Sequence, residues 1–211
     1  MQAYADKPLS LSLFSISLGL AQHPAEFGVT SYSTFIVPDW ITSLADYRHN
    51  AGLLSTPPSE RIPLLGVVDY SRVDSGLNPQ PPFLMSVVGL DRLGNWQHLA
   101  VEDYHRKRDQ WLEAIIQRLD KEYPGLAAAI TQKEMATALS MHHYLNTPQG
   151  ALYGFAPLPP EHFPLKGPPR SPKTTIEGLW LASAYAGSGG FTGAMMGGAT
   201  AAQMALRKQR E

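Results

Sequence analysis

Glycines are concentrated in residues 178–206, a stretch with no charged side chain, and four of its seven glycines form a cluster: Gly187, Gly189, Gly190 and Gly193. A glycine-rich turn lets the backbone approach a ligand closely. A helix that starts behind such a turn presents free N–H groups and the positive end of its dipole. The spacing therefore predicts a short buried strand (178–183), a turn and a helix (193–206) that face a phosphate group or an electron-rich carbonyl of a cofactor.

The same stretch has two other interpretations. Its hydropathy is typical of a membrane-spanning helix with small residues on one face, and a buried core helix without a ligand has a similar composition. The clustered glycines favour the interpretation as strand, turn and helix, because they break a helix rather than continue it. The turn is not the primary dinucleotide-binding loop, since Thr192 stands where that fingerprint has its third glycine.

Other residue types offer less chemistry. His142 and His143 are adjacent, so their side chains diverge on a helix or a strand. We therefore expect no metal site, although one of the pair could line a substrate cavity. The absence of cysteine excludes disulfides, thiolate nucleophiles and cysteine-bound zinc. The sequence also has neither a G-x-S-x-G elbow nor a G-x-x-x-x-G-K-[ST] loop, and it assigns no catalytic residue.

The composition is that of a globular protein. The 211 residues are 44% hydrophobic and 17% charged, and the net charge is −1. Lys and Arg are scattered, which argues against nucleic acid as a partner. No secretory signal is visible at the N-terminus, so we expect a cytoplasmic location.

Hydrophobic patterns predict an α/β or α+β architecture with a mixed sheet and covering helices. Strands are expected at 9–20, 32–37, 64–70 and 83–90, with a bulge near Leu13 and Phe14 that absorbs a change of phase. A helical turn is expected within 40–50. The clearest helix is Val101–Glu122, whose apolar residues fall on one face. A shorter helix is expected at 126–135, and 136–144 is ambiguous between helix and strand.

Proline-dense sequence near residues 157–172 suggests a domain boundary. We divide the chain into a substrate-binding portion (1–157), a linker (158–174) and a C-terminal strand, loop and helix (175–211).

Two segments resemble a known family. Residues 138–157 contain GALYGF, and residues 175–198 contain GLWLAS followed by GSGGFTGAMMGG. These segments resemble the C-terminal part of the phytoene desaturase-like FAD-dependent oxidoreductases, a group with carotenoid desaturases, carotenoid isomerases and retinol saturases. The sequence departs from the family pattern at Ser183, where glycine is common, and in a short loop that lacks the usual proline.

The resemblance implies a flavoprotein of the amine oxidase clan that acts on C–C bonds of a polyene or another isoprenoid lipid. The last strand and helix would belong to the FAD-binding domain. The residues expected to contact FAD are Gly189, Gly190, Phe191, Thr192 and Gly193, with the N–H groups of 191–193 near the pyrimidine end of the flavin. Peripheral membrane contact also remains open, because polyenes reside in lipid.

The glycine-rich N-terminal unit that binds the FAD pyrophosphate in such proteins is absent from this sequence. The resemblance therefore implies a fragment whose FAD-binding half lies in the same gene product or in a separate chain. The alternative is a non-catalytic lipid-binding or scaffold remnant of the same domain.

Overall fold

The structure is a computed structural model that describes residues 7–77, 80–156, 172–186 and 189–208. It divides into two compact units. The sheet unit is Ser12–Gly150, and the terminal unit combines Met1–Leu11 with Ala151–Glu211. Most of the expected linker, together with Gly187, lies outside the described residues. The assignment of 1–157 and 175–211 to substrate and FAD domains stays a prediction.

Five strands form the sheet of the sheet unit, in the spatial order β2-β3-β4-β1-β5. Their bounds are Ser12–Leu20 (β1), Ser33–Ile36 (β2), Leu65–Asp69 (β3), Phe83–Asp91 (β4) and Ile130–Ala136 (β5). The mixed α/β class is confirmed, and the first four strands lie close to their predicted positions.

Every pair of neighbouring strands is antiparallel, so the prediction of a mixed sheet is wrong in this respect. A helix does cross over between two strands of the same direction, β4 and β5, as a parallel pair would require. However, β1 lies between those two strands and pairs antiparallel with both. The crossover therefore produces no parallel neighbours, as in other split β-α-β arrangements.

Helices of the sheet unit are α1 (Leu44–Tyr47), α2 (Val101–Glu122), α3 (Leu126–Ala129) and α4 (Ala138–Leu145). The prediction for α2 is confirmed. The helix expected at 126–135 is wrong beyond Ala129, because the next residues form β5 against the open edge of β1. The ambiguous segment 136–144 is largely helical, and its start is capped by the Thr137 side chain.

The expected bulge near Leu13 is absent, since β1 pairs with β4 without interruption from Ser12 to Leu20. The apparent change of phase arises because the strand starts only at Ser12, so Leu9 and Leu11 precede it. Leu9 instead forms a bridge with Phe155 within the terminal unit. A register shift does occur between Gly19 and Leu20, on the side of β1 that faces β5.

The core lies between α2 and one face of the sheet. Alternate side chains of β1 are fully buried there, namely Phe14, Ile16, Leu18 and Leu20. They share this core with residues four apart on α2: Trp111, Ile115 and Leu119. Each such side chain contributes about 1.5–3 kcal/mol on burial, so this packing holds the sheet in place.

A buried carboxylate ties three elements of the sheet unit together. Asp91, at the end of β4, is 0% exposed. Its Oδ1 accepts from the Asn95 amide (2.8 Å), and its Oδ2 accepts from the Trp96 indole (2.8 Å) and the Ala138 N–H at the start of α4 (2.9 Å). Burial raises the pKa of the Asp91 carboxyl, and the N–H donors oppose that effect.

Lys107 of α2 extends this polar cluster. Its Nζ donates to the carbonyl oxygens of Ser55 (2.9 Å) and Asn95 (2.8 Å), and it lies 4.8 Å from the centre of the Trp96 ring. Burial lowers the pKa of Lys107, while the nearby Asp91 charge acts against this. These bonds satisfy a buried ammonium and fix the loop before β3 and the turn after β4 to α2.

Candidate functional site

Helix α5 (Gly190–Lys208) follows the glycine turn in the terminal unit, as predicted. Gly189 and Gly190 have positive φ angles of +87° and +66°, which glycine adopts at little cost. The Gly193 N–H donates to the Gly189 carbonyl (3.1 Å), which makes Gly189 the cap of the helix. The preceding N–H groups, at residues 190–192, have no acceptor within the helix.

Two glycines of the turn lie directly against Tyr153. A Cβ atom added at Gly189 would lie 2.8 Å from the Tyr153 carbonyl oxygen, and one added at Gly190 would lie 3.1 Å from the Tyr153 ring. The close approach of these backbones requires glycine whether or not a ligand is bound. Packing within the protein therefore explains the residue type at 189 and 190.

The remaining positions of the turn differ in exposure. Phe191 is 89% exposed and Thr192 is also exposed, whereas Gly193 is buried. Of the five residues expected to contact FAD, Phe191 and Thr192 thus have side chains that an incoming group can reach. Nothing in the described structure tests these five assignments, and they stay predictions.

Helix α5 packs through a stripe of small residues. Gly193, Gly197 and Ala201 are buried at a spacing of four, and a Cβ atom at Gly197 would lie 2.6 Å from the Ser183 carbonyl oxygen. The stripe therefore packs on the backbone of the segment that precedes the turn. The Ser183 Oγ accepts a hydrogen bond from the Tyr185 N–H (3.1 Å), which stabilises a local turn at the end of that segment.

The strand expected at 178–183 does not form. Trp180 makes only an isolated bridge to Lys173, and Gly178 occupies a turn with a φ angle of +78°. A strand needs a neighbour along its whole length, and within the described part of the terminal unit Trp180 finds only this one bridging partner. The helix of the predicted strand, turn and helix is thus present without its strand.

The two segments that carry the family resemblance lie against each other. Tyr153 contacts Gly189, a Cβ atom at Gly154 would lie 3.0 Å from the Ala184 backbone, and the Phe155 and Tyr185 rings make an edge contact at 5.0 Å. Apart from the glycines in both segments, nothing in the sequence indicates this contact. The contact joins two segments that are distant in sequence into one local structure.

The sequence did not single out Tyr185, yet its hydroxyl is buried and has no hydrogen-bond partner among the described residues. Burial also raises the pKa of this hydroxyl. An unpaired buried hydroxyl costs about 1–3 kcal/mol, so a polar atom supplied from outside the described residues would stabilise it.

The second face of the sheet, opposite the core, is unlike the first. We call it the open face. Strand pairing places these β1–β4 residues on it: Leu13, Ser15, Ser17, Gly19, Ser33, Phe35, Gly66, Val68, Leu84, Ser86, Val88 and Leu90. None of these residues is charged, and all except the two glycines are half-buried or exposed. On the adjoining strand β5, the exposed Glu134 lies on the same face, opposite Ser17. Such a surface can lie along an extended apolar molecule, with serine hydroxyls available for weak polar contacts.

The two adjacent histidines lie on the surface of α4. Both side chains are exposed on α4, and the His142 ring bonds locally with the Thr147 carbonyl (3.0 Å). Within the described ranges, no group of three His, Asp or Glu residues could hold a metal ion. Nor is any described helix both long and apolar enough to cross a membrane.

No protein-family model matches the chain. Among curated proteins, it is 30% identical over 146 residues to a prolycopene isomerase of Daucus carota, covering 65% of this chain and 23% of that protein. The corresponding values for the Arabidopsis thaliana prolycopene isomerase are 28% over 150 residues, 65% and 24%. An all-trans-retinol 13,14-reductase of Danio rerio is 24% identical over 205 residues, covering 92% of this chain and 33% of that protein.

These comparisons confirm the resemblance inferred from the two segments, at low identity. The chain is similar to enzymes named as a carotenoid isomerase and a retinol reductase. It spans about a quarter of the length of the prolycopene isomerases and a third of the reductase.

Proposed function

We propose that this chain is the C-terminal portion of an FAD-dependent oxidoreductase that acts on C–C bonds of a polyene or another isoprenoid lipid. The structural observation that carries the proposal is the open face, whose β1–β4 part is an extended surface without charged side chains. It agrees with the comparisons, because both kinds of relative are named for conjugated isoprenoids, prolycopene and retinol.

The glycine turn fits one end of FAD. Three N–H groups at the start of α5 lack acceptors within the helix, and the exposed Phe191 and Thr192 side chains leave that end accessible. The Tyr185 hydroxyl, which has no hydrogen-bond partner among the described residues, adds a polar atom that a ligand or another protein segment could satisfy. The sequence holds no pyrophosphate-binding motif, so a second protein portion would bind the rest of the cofactor.

Bound FAD would accept or return a hydride. The residues of this chain would perform the supporting tasks. The start of α5 would stabilise negative charge through its N–H groups and dipole, and the open face would orient the polyene and exclude water from it. We assign no acid or base. The β1–β4 part of the open face has no described titratable side chain, and the carboxylate that shares this face, Glu134, belongs to the edge strand β5.

A charge on the open face tests the substrate assignment. We expect the purified chain to bind all-trans-retinol, and we expect Ser86→Asp to weaken this binding at least tenfold, because a carboxylate beside an apolar ligand loses its hydration. Ligand absorbance in equilibrium binding measures the effect. Ser59→Asp, at an exposed position in the loop before β3, is the matched control. Equal affinity of both variants would contradict the assignment.

Flavin retention tests the cofactor assignment. We expect the chain, co-expressed with the N-terminal dinucleotide-binding portion of a prolycopene isomerase, to form a complex with flavin absorbance. Thr192→Trp should lower the flavin content, since position 192 is exposed and an indole there would block the approach of the flavin. A stable complex without flavin, from a chain that still binds retinol, would instead support the non-catalytic lipid-binding alternative.

A further inference from the structure

A cavity of about 600 Å³ lies in the sheet unit at one end of the open face. Leu84 belongs to both, because it lines the cavity and lies on the open face of β4. Pro82, another lining residue, approaches the open face at Gly19, where an added Cβ atom would lie 3.1 Å from the Pro82 Cβ atom. An extended molecule that lies along the strands of the open face therefore reaches this cavity with one of its ends.

The cavity has more polar groups than the surface that leads to it. The β1–β4 part of the open face offers serine hydroxyls and no charged side chain. A ligand with a long apolar chain and one polar end would match both environments. The described polar residues of the cavity lining are His23, Tyr70, Ser71, Asp74, Ser75 and Gln80.

Hydrogen bonds within the protein fix two sides of the cavity. On one side, the Asp69 carboxylate accepts from the N–H (3.0 Å) and the hydroxyl (2.6 Å) of Ser71, which holds the turn Tyr70–Arg72. On the other side, the His23 Nδ1 accepts from the Ala25 N–H (3.2 Å), which holds the imidazole ring. These sides are thus formed before a ligand enters, and this lowers the entropic cost of binding.

Three side chains of the lining can bind a ligand. The hydroxyls of Ser71 and Ser75 are used in hydrogen bonds within their own turn. His23 can donate, because its Nδ1 accepts a hydrogen bond and the ring proton therefore lies on Nε2. Asp74 can accept, and the Tyr70 hydroxyl can do either. This set suits a hydroxyl group, which both donates and accepts.

The Asp74 carboxylate restricts the chemistry of the end group further. The described lining contains this carboxylate and neither lysine nor arginine. An alcohol can donate to the carboxylate, and hydrogen bonds to a charged acceptor are the stronger kind. A carboxylate or phosphate end would be repelled by it, and a hydrocarbon end has nothing to donate. The cavity therefore favours an alcohol.

We propose that this cavity binds a hydroxyl group at the end of the isoprenoid substrate, through His23, Tyr70 and Asp74. The substrate class is then an isoprenoid alcohol rather than a hydrocarbon polyene. The bound hydroxyl fixes the direction in which the chain of the substrate lies along the sheet. This inference rests on the proposed function, because it takes the open face as the surface that binds that chain.

Two ligands that differ only in the hydroxyl test the inference. Axerophthene is all-trans-retinol with a hydrogen atom in place of the hydroxyl. We expect Tyr70→Phe with Asp74→Ala to weaken retinol binding about tenfold, because hydrogen bonds are lost, and to leave axerophthene binding unchanged. Ligand absorbance in equilibrium binding measures both affinities, and unchanged axerophthene binding shows that the variant is folded. Equal changes for the two ligands would overturn the inference.

The part played by His23 has its own variant. Asparagine at position 23 keeps a side-chain acceptor for the Ala25 N–H, as a good N-cap residue does, but removes the Nε2 donor. His23→Asn should therefore weaken retinol binding about threefold or more and leave axerophthene binding unchanged. Unchanged retinol binding would remove His23 from the site and contradict the proposed set.

Retinoic acid tests the effect of charge. Asp74→Asn should strengthen the binding of retinoic acid about fivefold or more, because it removes the repulsion between two carboxylates. The matched control is Asp109→Asn, which removes an exposed carboxylate from α2, on the other side of the sheet, and should have no effect. Equal effects of the two variants would overturn the assignment of Asp74.

The same ligands separate this inference from the function on which it rests. If neither retinol nor axerophthene binds, the open face does not bind polyenes, and the proposed function fails together with the inference. If both bind and Ser86→Asp weakens both, but Tyr70→Phe with Asp74→Ala weakens neither, the open face binds the chain of the ligand and only the assignment of the cavity is wrong.

Discussion

Glycine at a position of the glycine turn can be required for contact with a ligand or for packing within the protein, and the sequence alone does not distinguish the two. Gly189 and Gly190 suggest a ligand-facing backbone, and they remain candidates for that contact. The structure adds a cause that is independent of any ligand, since both positions touch Tyr153. A substitution at these positions therefore changes stability as well as any cofactor contact, and Thr192 is the better position for a functional test.

The cost of a side chain at Gly189 can be measured against a matched glycine. Gly178 has a similar positive φ angle, but an added Cβ atom there meets nothing within 4 Å. Alanine at either position bears the left-handed conformational cost of about 1–2 kcal/mol. We expect Gly189→Ala to lower the free energy of unfolding by about 1–3 kcal/mol more, because of its contact with Tyr153. Urea unfolding checks this, and equal losses would contradict the close approach.

The role of Asp91 could not be predicted from the sequence. Nothing in its neighbourhood along the chain marks it, since an aspartate after a strand is usually a turn residue. Its role depends on Ala138, which lies 47 positions away and donates to its carboxylate. Long-range hydrogen bonds of this kind follow from the assembled fold and leave no periodic pattern.

Among the helices and strands, the sequence pattern correctly predicted those elements whose formation depends mainly on their own residues. Helix α2 has the predicted bounds because its apolar face and the following Pro124-Gly125 define it without outside help. The segment 130–136 was misread as helix because its strand exists only where β1 offers an open edge. The strand expected at 178–183 is the converse case, because this apolar segment has no partner strand among the described residues.

Packing of α5 gives adjacent glycines opposite responses to the same substitution. A Cβ atom at Gly197 would lie 2.6 Å from the Ser183 carbonyl oxygen, whereas one at Gly198 meets nothing within 4 Å. We expect Gly198→Ala to stabilise the protein by about 0.5–1 kcal/mol through helix propensity. Gly197→Ala should instead destabilise it by about 1–2 kcal/mol, because the clash exceeds that gain.

Thermal unfolding of the two variants measures these changes. Stabilisation by both substitutions would show that α5 does not pack against the Ser183 segment.

For the whole molecule, the division into two units makes a prediction about autonomy. The sheet unit contains its own core and its own buried polar cluster around Asp91. A polypeptide of residues 12–150 should therefore fold alone with a cooperative thermal transition and near-ultraviolet circular dichroism from the buried Trp96 and Trp111. Loss of that near-ultraviolet signal, with helical content retained, would show that the terminal unit is needed for side-chain packing.

The central place of β1 has a consequence during synthesis. Of the five strands, β1 leaves the ribosome first, but its neighbours on the two sides are β4 and β5. One edge of this strand stays unpaired until Asp91 has emerged and the other until Ala136 has emerged. Unpaired strand edges promote association with other chains. The nascent protein thus depends most on chaperones before β5 is complete, and faster translation of residues 21–136 would shorten that exposure.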